Sequence, residues 1–192
     1  MGFLTPDASG ELEVLRTYAL QQLAQMRSTA YGLTDEQIRA TPSVSSLTIG
    51  GLLRHAGQVA LHWSAAAAAA PGDPVIPEEF GEEQTIEECV ADATNLADTL
   101  DYFDRCVATT DANIRSVTDL AAAVPVPDAP WFPPDLASWE ARWVLAHITA
   151  EVARHTGHAD IIRESIDGKG SYELNERADG FLDDDEKYAP HG

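Results

Sequence analysis

The sequence predicts an all-α protein whose core is a four-helix bundle. Four long stretches repeat apolar residues at steps of three and four, which is typical of helices with one buried face. Serine or threonine residues in capping positions precede three of these stretches, and proline-rich segments separate the last three. Helices of this kind bury their apolar faces against one another. We expect one bundle domain over residues 1–168 and an acidic tail over 169–192.

The first long helix is predicted from Glu11 to about Tyr31, after a loosely ordered start at residues 1–10. Gly32 interrupts the pattern, and Thr34 with Gln37 then forms a capping box, which predicts a short second helix. The apolar positions of the first helix, spaced three and four apart, are Leu12, Leu15, Ala19, Leu20, Leu23 and Met26.

Thr48 caps the second long helix, which is predicted to end near Ala70. An acidic, proline-rich connection follows over residues 71–84. The capping box of Thr85 with Glu88 then begins a third long helix, predicted to end near Thr109. We expect the second helix to present to the core an inner stripe made of Leu52, His55, Val59, His62 and Trp63.

The two cysteines of the chain, Cys89 and Cys106, both fall in the predicted third helix. Residues this far apart lie about 25 Å from each other along an intact helix, which is too far for a disulfide. We therefore expect reduced, half-buried thiols, as is typical of a cytoplasmic protein.

The segment over residues 110–137 is rich in proline, and Val117–Val126 could form either a strand or an extended loop. Ser138 is predicted to cap the fourth long helix, which runs to Asp167 and ends at Gly168. The tail beyond it includes the acidic run 183–186. We expect this tail to be extended and to pack only in part.

The formal net charge of −20 argues against binding to nucleic acids or to anionic membrane surfaces, because both require a basic face. The first residues lack the basic and apolar regions of a signal peptide. The longest apolar stretch, at 60–71, is too short to cross a bilayer. These features favour a cytoplasmic protein without a membrane segment.

The fourth predicted helix carries His147, Glu151 and His155 at intervals of four residues. At about 100° per residue, these side chains fall on one helix face within about 80° of each other. A glutamate and a histidine one turn apart can both bind a divalent metal if another helix supplies a third ligand. The second helix offers His55 and His62. We favour His55, because it lies early in its helix, near an end of the bundle that solvent can reach.

Each of these residues also has a structural interpretation. His55 can be a hydrogen-bonded core histidine, and His62, next to Trp63, suits a packed or hydrogen-bonded role. Glu151 can face solvent, and His155 can donate to a neighbouring acceptor. The sequence does not decide the roles of His147 and His158. Each could bind the metal, hydrogen-bond to a metal ligand or lie at the surface.

Two segments, ARHTGHADIIRESIDG (153–168) and SLTIGGLLRHAGQVALHW (46–63), resemble the DinB-like superfamily, in particular its actinobacterial branch of mini-circle or DinB-family proteins. The resemblance covers most of residues 11–168. It implies an up-down-down-up bundle, often a homodimer, with a metal held by three side chains. In relatives similar to mycothiol-dependent maleylpyruvate isomerase the ligands are His, Glu and His, which places them at His55, Glu151 and His155. The usual His-x-Gly-Gln appears here as 155–158, HTGH, with histidine in place of glutamine.

The resemblance also implies a metal-dependent enzyme that activates a low-molecular-weight thiol, such as mycothiol, for isomerisation or S-transfer to an electrophilic substrate. We expect His147 or His158 to orient a ligand or to shuttle protons. Arg54, Arg142 and Arg163 are candidates for anchoring an anionic substrate. Two imidazoles and a carboxylate suit zinc best, with nickel and iron(II) as alternatives. Metal-assisted hydrolysis and a non-catalytic metal-binding bundle remain the alternative functions.

Overall fold

The computed structural model of the protein describes residues 4–127, 129–130, 132–183 and 186–189. It confirms the predicted all-α fold. Among the described residues, four long helices form the bundle, and three short α-helices, one 3-10 helix (Glu78–Phe80) and a two-stranded sheet connect or flank them. The elements are α1 (Glu11–Ser28), α2 (Asp35–Ile38), α3 (Ile49–Ala69), α4 (Ile86–Asp92), α5 (Leu96–Ser116), β1 (Ala123–Pro125), β2 (Ser138–Glu140), α6 (Ala141–Asp167) and α7 (Ser171–Ala178).

The long helices α1, α3, α5 and α6 pack in a closed ring, in which α3 and α1 each contact both α5 and α6. Contacts between the helices give their directions. α1 and α6 run the same way, and α3 and α5 run the opposite way, so the bundle is up-down-down-up. The pairs that fix these directions are Glu11–Arg142, Thr29–Arg163, Arg16–Asp111, Arg27–Asp104, Ser64–Asn113, His55–His155 and Trp63–His147.

Several predicted helix ends are confirmed, but the third long helix continues to Ser116 instead of ending near Thr109. The Thr48 hydroxyl accepts a hydrogen bond from the Gly51 amide at 3.0 Å, and both predicted capping boxes are formed. Gly168 ends α6 in the left-handed conformation, with φ of 80°, which glycine adopts without steric cost.

The prediction of one continuous third helix is wrong. Helix α4 ends at Asp92 and α5 begins at Leu96, and Ala93 between them has a non-helical ψ of 68°. The side chain of Asn95 caps α5 by accepting from the Asp98 amide at 2.8 Å. Cys89 and Cys106 therefore lie on different helices, and the distance argument against a disulfide fails. Both are nevertheless free and buried.

The structure also corrects the start of the fourth helix. Ser138 does not cap it, because Ser138–Glu140 form strand β2, which pairs antiparallel with β1. The helix begins at Ala141, after Glu140. The open choice for Val117–Val126 is thus settled, since its last part, Ala123–Pro125, is a strand. The two strands flank the Pro-rich segment 126–137; β1 contacts α3 and α6, and β2 contacts α6.

Helix α7 falls in the acidic tail, which was predicted to be extended. Its residue Leu174 is fully buried, and the side-chain amides of Asn175 and Gln25 form two hydrogen bonds that join α7 to α1. Residues 184 and 185 of the predicted acidic run, the last three residues and residues 1–3 lie outside the described part of the chain.

Helix α4 lies against two adjacent glycines at the start of α3. A Cβ atom on Gly51 would come within 2.9 Å of the Val90 Cα atom, and one on Gly50 within 2.8 Å of the Ala93 Cβ atom. Only glycine permits this close approach of α4 and the residue after it to the start of α3.

Candidate metal centre and adjoining cavity

The structure brings together His55 of α3 with Glu151 and His155 of α6. One ligand atom from each of the three side chains lies within 4.8 Å of the other two. The Glu151 carboxylate and the His155 Nε2 atom are 3.1 Å apart, and the two imidazole rings meet edge to face with centroids 4.8 Å apart. The antiparallel packing of α3 on α6 accounts for this meeting, because it places the start of α3 beside the middle of α6.

Burial and charge prepare these side chains for a cation. The Nδ1 atom of His55 is buried and has no hydrogen-bond partner. Burial lowers the pKa of His55, and the neighbouring His155 lowers it further, so the His55 ring is neutral and able to bind a metal at pH 7. The ligands of one zinc ion lie roughly 3.3 Å apart, so small side-chain rotations would close the group. An orphaned nitrogen, a second imidazole and a carboxylate fit a divalent metal.

A cavity of about 410 Å³ opens beside this group. His55 and Glu151 lie at one end, and Trp63 and Phe132 line the opposite part, with the hairpin strand β1 as a further wall. The predicted inner stripe of α3 is therefore only partly correct. Leu52 is fully buried, whereas His55, Val59, His62 and Trp63 are half-buried because they border the cavity.

Aromatic rings continue from this cavity along α6. The rings of Trp139, Trp143 and His147, one turn apart on and just before α6, stack in sequence with centroids 4.7 and 5.1 Å apart. Trp63 of α3 meets His147 edge to face at 5.0 Å. The imidazole of His147 thus has a fixed plane and lines the cavity together with two of the three candidate ligands.

Residues 14–168 match the family model described as mycothiol-S-transferase. The chain belongs to this family. The match confirms the resemblance to the DinB-like superfamily that the sequence suggested, and it covers most of α1, all of the other three long helices and the three candidate ligands. The search of the curated proteins gave no match.

Among solved structures, the chain is similar to a conserved protein from Enterococcus faecalis, with a TM-score of 0.58 and 19% sequence identity. The alignment covers 84% of this chain and 100% of that one. At this identity the likeness shows the shared fold alone.

Most of the other predicted site residues lie away from the cavity. His147 lines the cavity, whereas His158 does not belong to its lining. Arg54 lies 4.4 Å over the ring of Tyr102 and pairs with Asp92, on the side of α3 that faces α4 and α5. Arg142 pairs with Glu11 and Glu140.

Arg163 has no exposed surface. Its Nη1 atom donates to the carbonyls of Thr29 and Tyr31 at 2.7 and 2.8 Å, and Nε and Nη2 donate to the Asp167 carboxylate. The structure thus joins Arg163 to the end of α1, and none of the three predicted arginines lines the cavity.

The cavity holds a second pair of groups that was not predicted from the sequence. The Nδ1 atom of His62 lies 3.7 Å from a carboxylate oxygen of Glu83, and both residues line the cavity. Burial lowers the pKa of His62 although Glu83 opposes the shift, so this ring is largely neutral at pH 7. Phe132 and β1 were also missed. No local sequence pattern could reveal their place in the site, because they meet α3 only through the tertiary fold.

Within the described part of the chain, no helix is both long and apolar enough to cross a membrane.

Proposed function

We propose that this protein is a divalent-metal-dependent transferase that activates a low-molecular-weight thiol, mycothiol or a close analogue, and joins its sulfur to an electrophile. The observation that carries the proposal is the juxtaposition of the His55–Glu151–His155 group with an open cavity. A catalytic metal site keeps one position free for a reactant, and the described ligand group contains three protein side chains rather than four. A structural metal site needs no such cavity.

In this proposal His55, Glu151 and His155 hold the ion, most simply zinc. When bound, a divalent cation with a free position lowers the pKa of a thiol, so that thiolate forms at neutral pH. The ring of His147 is held by stacking in the cavity wall, where it can accept the thiol proton or orient the incoming thiol. Val59, Trp63 and Phe132 give the cavity an apolar wall.

The protein's own cysteines are unsuited to act as the nucleophile. Burial raises the pKa of Cys89 to about 11 and that of Cys106 to about 12, so both stay protonated at neutral pH. The reactive sulfur therefore comes from a cosubstrate. Reduced, buried thiols also accord with a cytoplasmic location, which we include in the proposal.

Metal analysis of the wild type and of His55→Ala, Glu151→Ala and His155→Ala tests the first half of the proposal. We expect about one ion per chain in the wild type and its loss in each variant, with helical content retained. Glu164→Ala and His158→Ala, on the same helix but outside the ligand group, are matched controls that should keep the ion. A wild type that binds neither zinc, nickel nor iron(II) after reconstitution would refute the metal centre.

Thiol transfer tests the second half. Metal-loaded enzyme should accelerate the reaction of mycothiol with a small alkylating agent, and Glu151→Ala should abolish the acceleration. A protein that holds its metal but accelerates no thiol reaction would instead be a non-catalytic metal-binding bundle. A homodimer, which the resemblance implies, stays a prediction that light scattering in solution can test.

A further inference from the structure

A second cavity, the α1–α6 cavity, lies on the other side of α6 from the metal ligands. Its volume is about 310 Å³, and residues of α1, α6 and the start of α7 line it. Its lining residues on α6 are Ala153, Thr156, Gly157 and Asp160. At about 100° per residue, these positions lie on roughly the opposite face of α6 from Glu151 and His155. The α1–α6 cavity is therefore separate from the metal centre.

Buried polar side chains line the α1–α6 cavity, although the seam between two bundle helices is usually apolar. Gln21 and Gln25 of α1 are 4% and 7% exposed, and Thr156 of α6 is 5% exposed. The side-chain amides of Gln25 and Asn175 form two hydrogen bonds with each other, of 2.7 and 2.6 Å. These polar groups are thus held in fixed positions, as is typical of groups that orient a ligand in a binding site.

Hydrogen-bond acceptors in this lining lack donors. The Thr156 hydroxyl donates its hydrogen to the Val152 carbonyl at 2.8 Å, so only its lone pairs remain for a ligand. Among the described residues, none donates a hydrogen bond to the Asp160 carboxylate, although this side chain is half-buried. Acceptors of this kind suit a ligand that brings its own hydrogen-bond donors.

The charge around the α1–α6 cavity is negative. Among the described residues that line it, Asp160 carries the one charge, and there is neither lysine nor arginine. Glu164, one turn further along α6, repels the Asp160 carboxylate and adds to the effect of burial, which raises the pKa of Asp160 to about 6. The start of α7, where free amides attract anions, already has a carboxylate beside it, because the Glu164 Oε1 atom would lie 3.7 Å from a Cβ atom on Gly170. These charges favour a cation over an anion.

We propose that the α1–α6 cavity binds a small organic cation, whose primary ammonium group donates hydrogen bonds to Asp160 and Thr156 and whose alkyl part lies along the ring of Tyr18. An ammonium group has three donors and no acceptor, which matches the lining. The Tyr18 side chain lines the cavity and is 49% exposed, and an aromatic face attracts a cation. The bound cation supplies the partner that Asp160 lacks, and this site requires neither the metal nor a thiol.

Three probes of nearly equal size and different charge test the proposal. At pH 7, n-butylamine is a cation, 1-butanol is neutral and butyrate is an anion. Titrations of the ¹⁵N-labelled full chain, followed by NMR in phosphate buffer that contains no competing amine, should show n-butylamine binding at least about tenfold more tightly than the other two. The amide signals of Thr156, Gly157 and Ser171, which line the cavity, should shift most.

Variants of matched shape assign the binding to individual groups. Asp160→Asn should weaken the binding of n-butylamine at least about tenfold, because it removes the charge and keeps the size of the side chain. Thr156→Val, which removes one acceptor, should weaken it about threefold. Asp101→Asn is the matched control, since the Asp101 side chain lies on α5 and is 70% exposed, and it should leave the affinity unchanged.

The pH dependence gives a readout that a merely structural role of Asp160 would not produce. Its titratable neighbours are Glu164 of α6 and Tyr18 of α1, and α7 contributes none to the described lining. Lowering the pH from 7 to 5 protonates Asp160, so the affinity for n-butylamine should fall about tenfold. In Asp160→Asn the affinity should be nearly independent of pH over this range.

Four results would overturn the proposal. They are the absence of binding by every probe, binding of 1-butanol or butyrate as tight as that of n-butylamine, unchanged affinity in Asp160→Asn, and signal shifts confined to the surroundings of His55 and Glu151. The last result would mean that the amine binds at the metal centre. None of these results bears on the metal analysis or the thiol reaction, so the two proposals stand or fall separately.

Discussion

Arg163 offers the sharpest separation between a structural and a ligand-binding role. Its side chain has no exposed surface, and it links α6 to the backbone that follows α1 through the carbonyls of Thr29 and Tyr31. It also forms a paired hydrogen bond with the carboxylate of Asp167, one turn further along α6, at 3.0 and 2.9 Å. We predict that Arg163→Met destabilises the fold and leaves the metal centre intact.

The magnitude follows from the groups that the substitution leaves unpaired. Methionine retains much of the apolar packing but supplies no donor, so two carbonyls and one carboxylate lose their partner. Breaking a buried charged pair costs about 3–5 kcal/mol. The Asp167 side chain is 24% exposed, so water can replace part of the lost interaction, and we expect the lower end of this range, about 3 kcal/mol. In a domain of this size that corresponds to a fall in Tm of about 6–12 °C.

Thermal unfolding followed by circular dichroism, with metal content and thiol affinity measured at low temperature, checks this prediction. Arg154→Met is the matched control. Arg154 lies on the same helix with an exposed side chain, so its loss should change stability by less than about 0.5 kcal/mol. If Arg163→Met kept wild-type stability and instead lost affinity for the thiol, our assignment would be refuted and Arg163 would return to a ligand-binding role.

Three further predictions concern packing, pH and thiol reactivity. Gly51→Ala should destabilise the protein by about 1–2 kcal/mol in urea unfolding, because the new methyl group meets the α4 backbone, whereas Gly157→Ala, with open space around it, should be neutral or slightly stabilising. Burial, helped by Glu164, raises the pKa of Asp160 to about 6, so the folded protein holds this proton more tightly than the unfolded chain and loses stability as pH rises from about 4 to 6. Asp160→Asn should therefore stabilise the protein by about 1 kcal/mol at pH 7, after allowance for partial exposure, and by nothing below pH ~4; a pH-independent difference would contradict this account. Ellman's reagent at pH 7.5 should label neither cysteine in the native protein and both of the 2 cysteines in denaturant, and rapid native labelling would mean that the thiols are not buried as described.

Local signals in the sequence predict most of the fold. Apolar spacing places the long helices, and side chains such as Thr34, Thr48 and Thr85 mark helix starts correctly because the capping interaction is made within one turn. The break before α5, by contrast, depends partly on a contact between residues far apart in the sequence. Its start is fixed by Asn95 and also by the carboxylate of Asp35, which accepts a hydrogen bond from the Leu96 amide at 2.8 Å across 61 positions of the chain. A local pattern cannot reveal that contact.

The candidate site shows the same division. The spacing of Glu151 and His155 fixes their common face, since both lie on one helix. The sequence offered His55 and His62 as the partner from α3, and the structure brings only His55 into the group, because α3 and α6 run antiparallel. His62, two turns further along α3, instead meets Glu83 in the cavity. Its environment depends on the connection at 71–84, whose course the sequence does not specify.

The metal ligands and the opposite wall of the cavity belong to different parts of the fold. His55, Glu151 and His155 lie on α3 and α6, whose relative position is fixed by the buried core between the four long helices. Part of the opposite wall, including Phe132 and Val124, comes from β1 and from described residues of the segment that follows it, and the strands β1 and β2 contact these helices. Substitutions in the hairpin can therefore reshape the electrophile end of the cavity without displacing the metal ligands. The choice of electrophile and the activation of the thiol are thus physically separable, and Phe132→Leu should alter the first while leaving metal content unchanged.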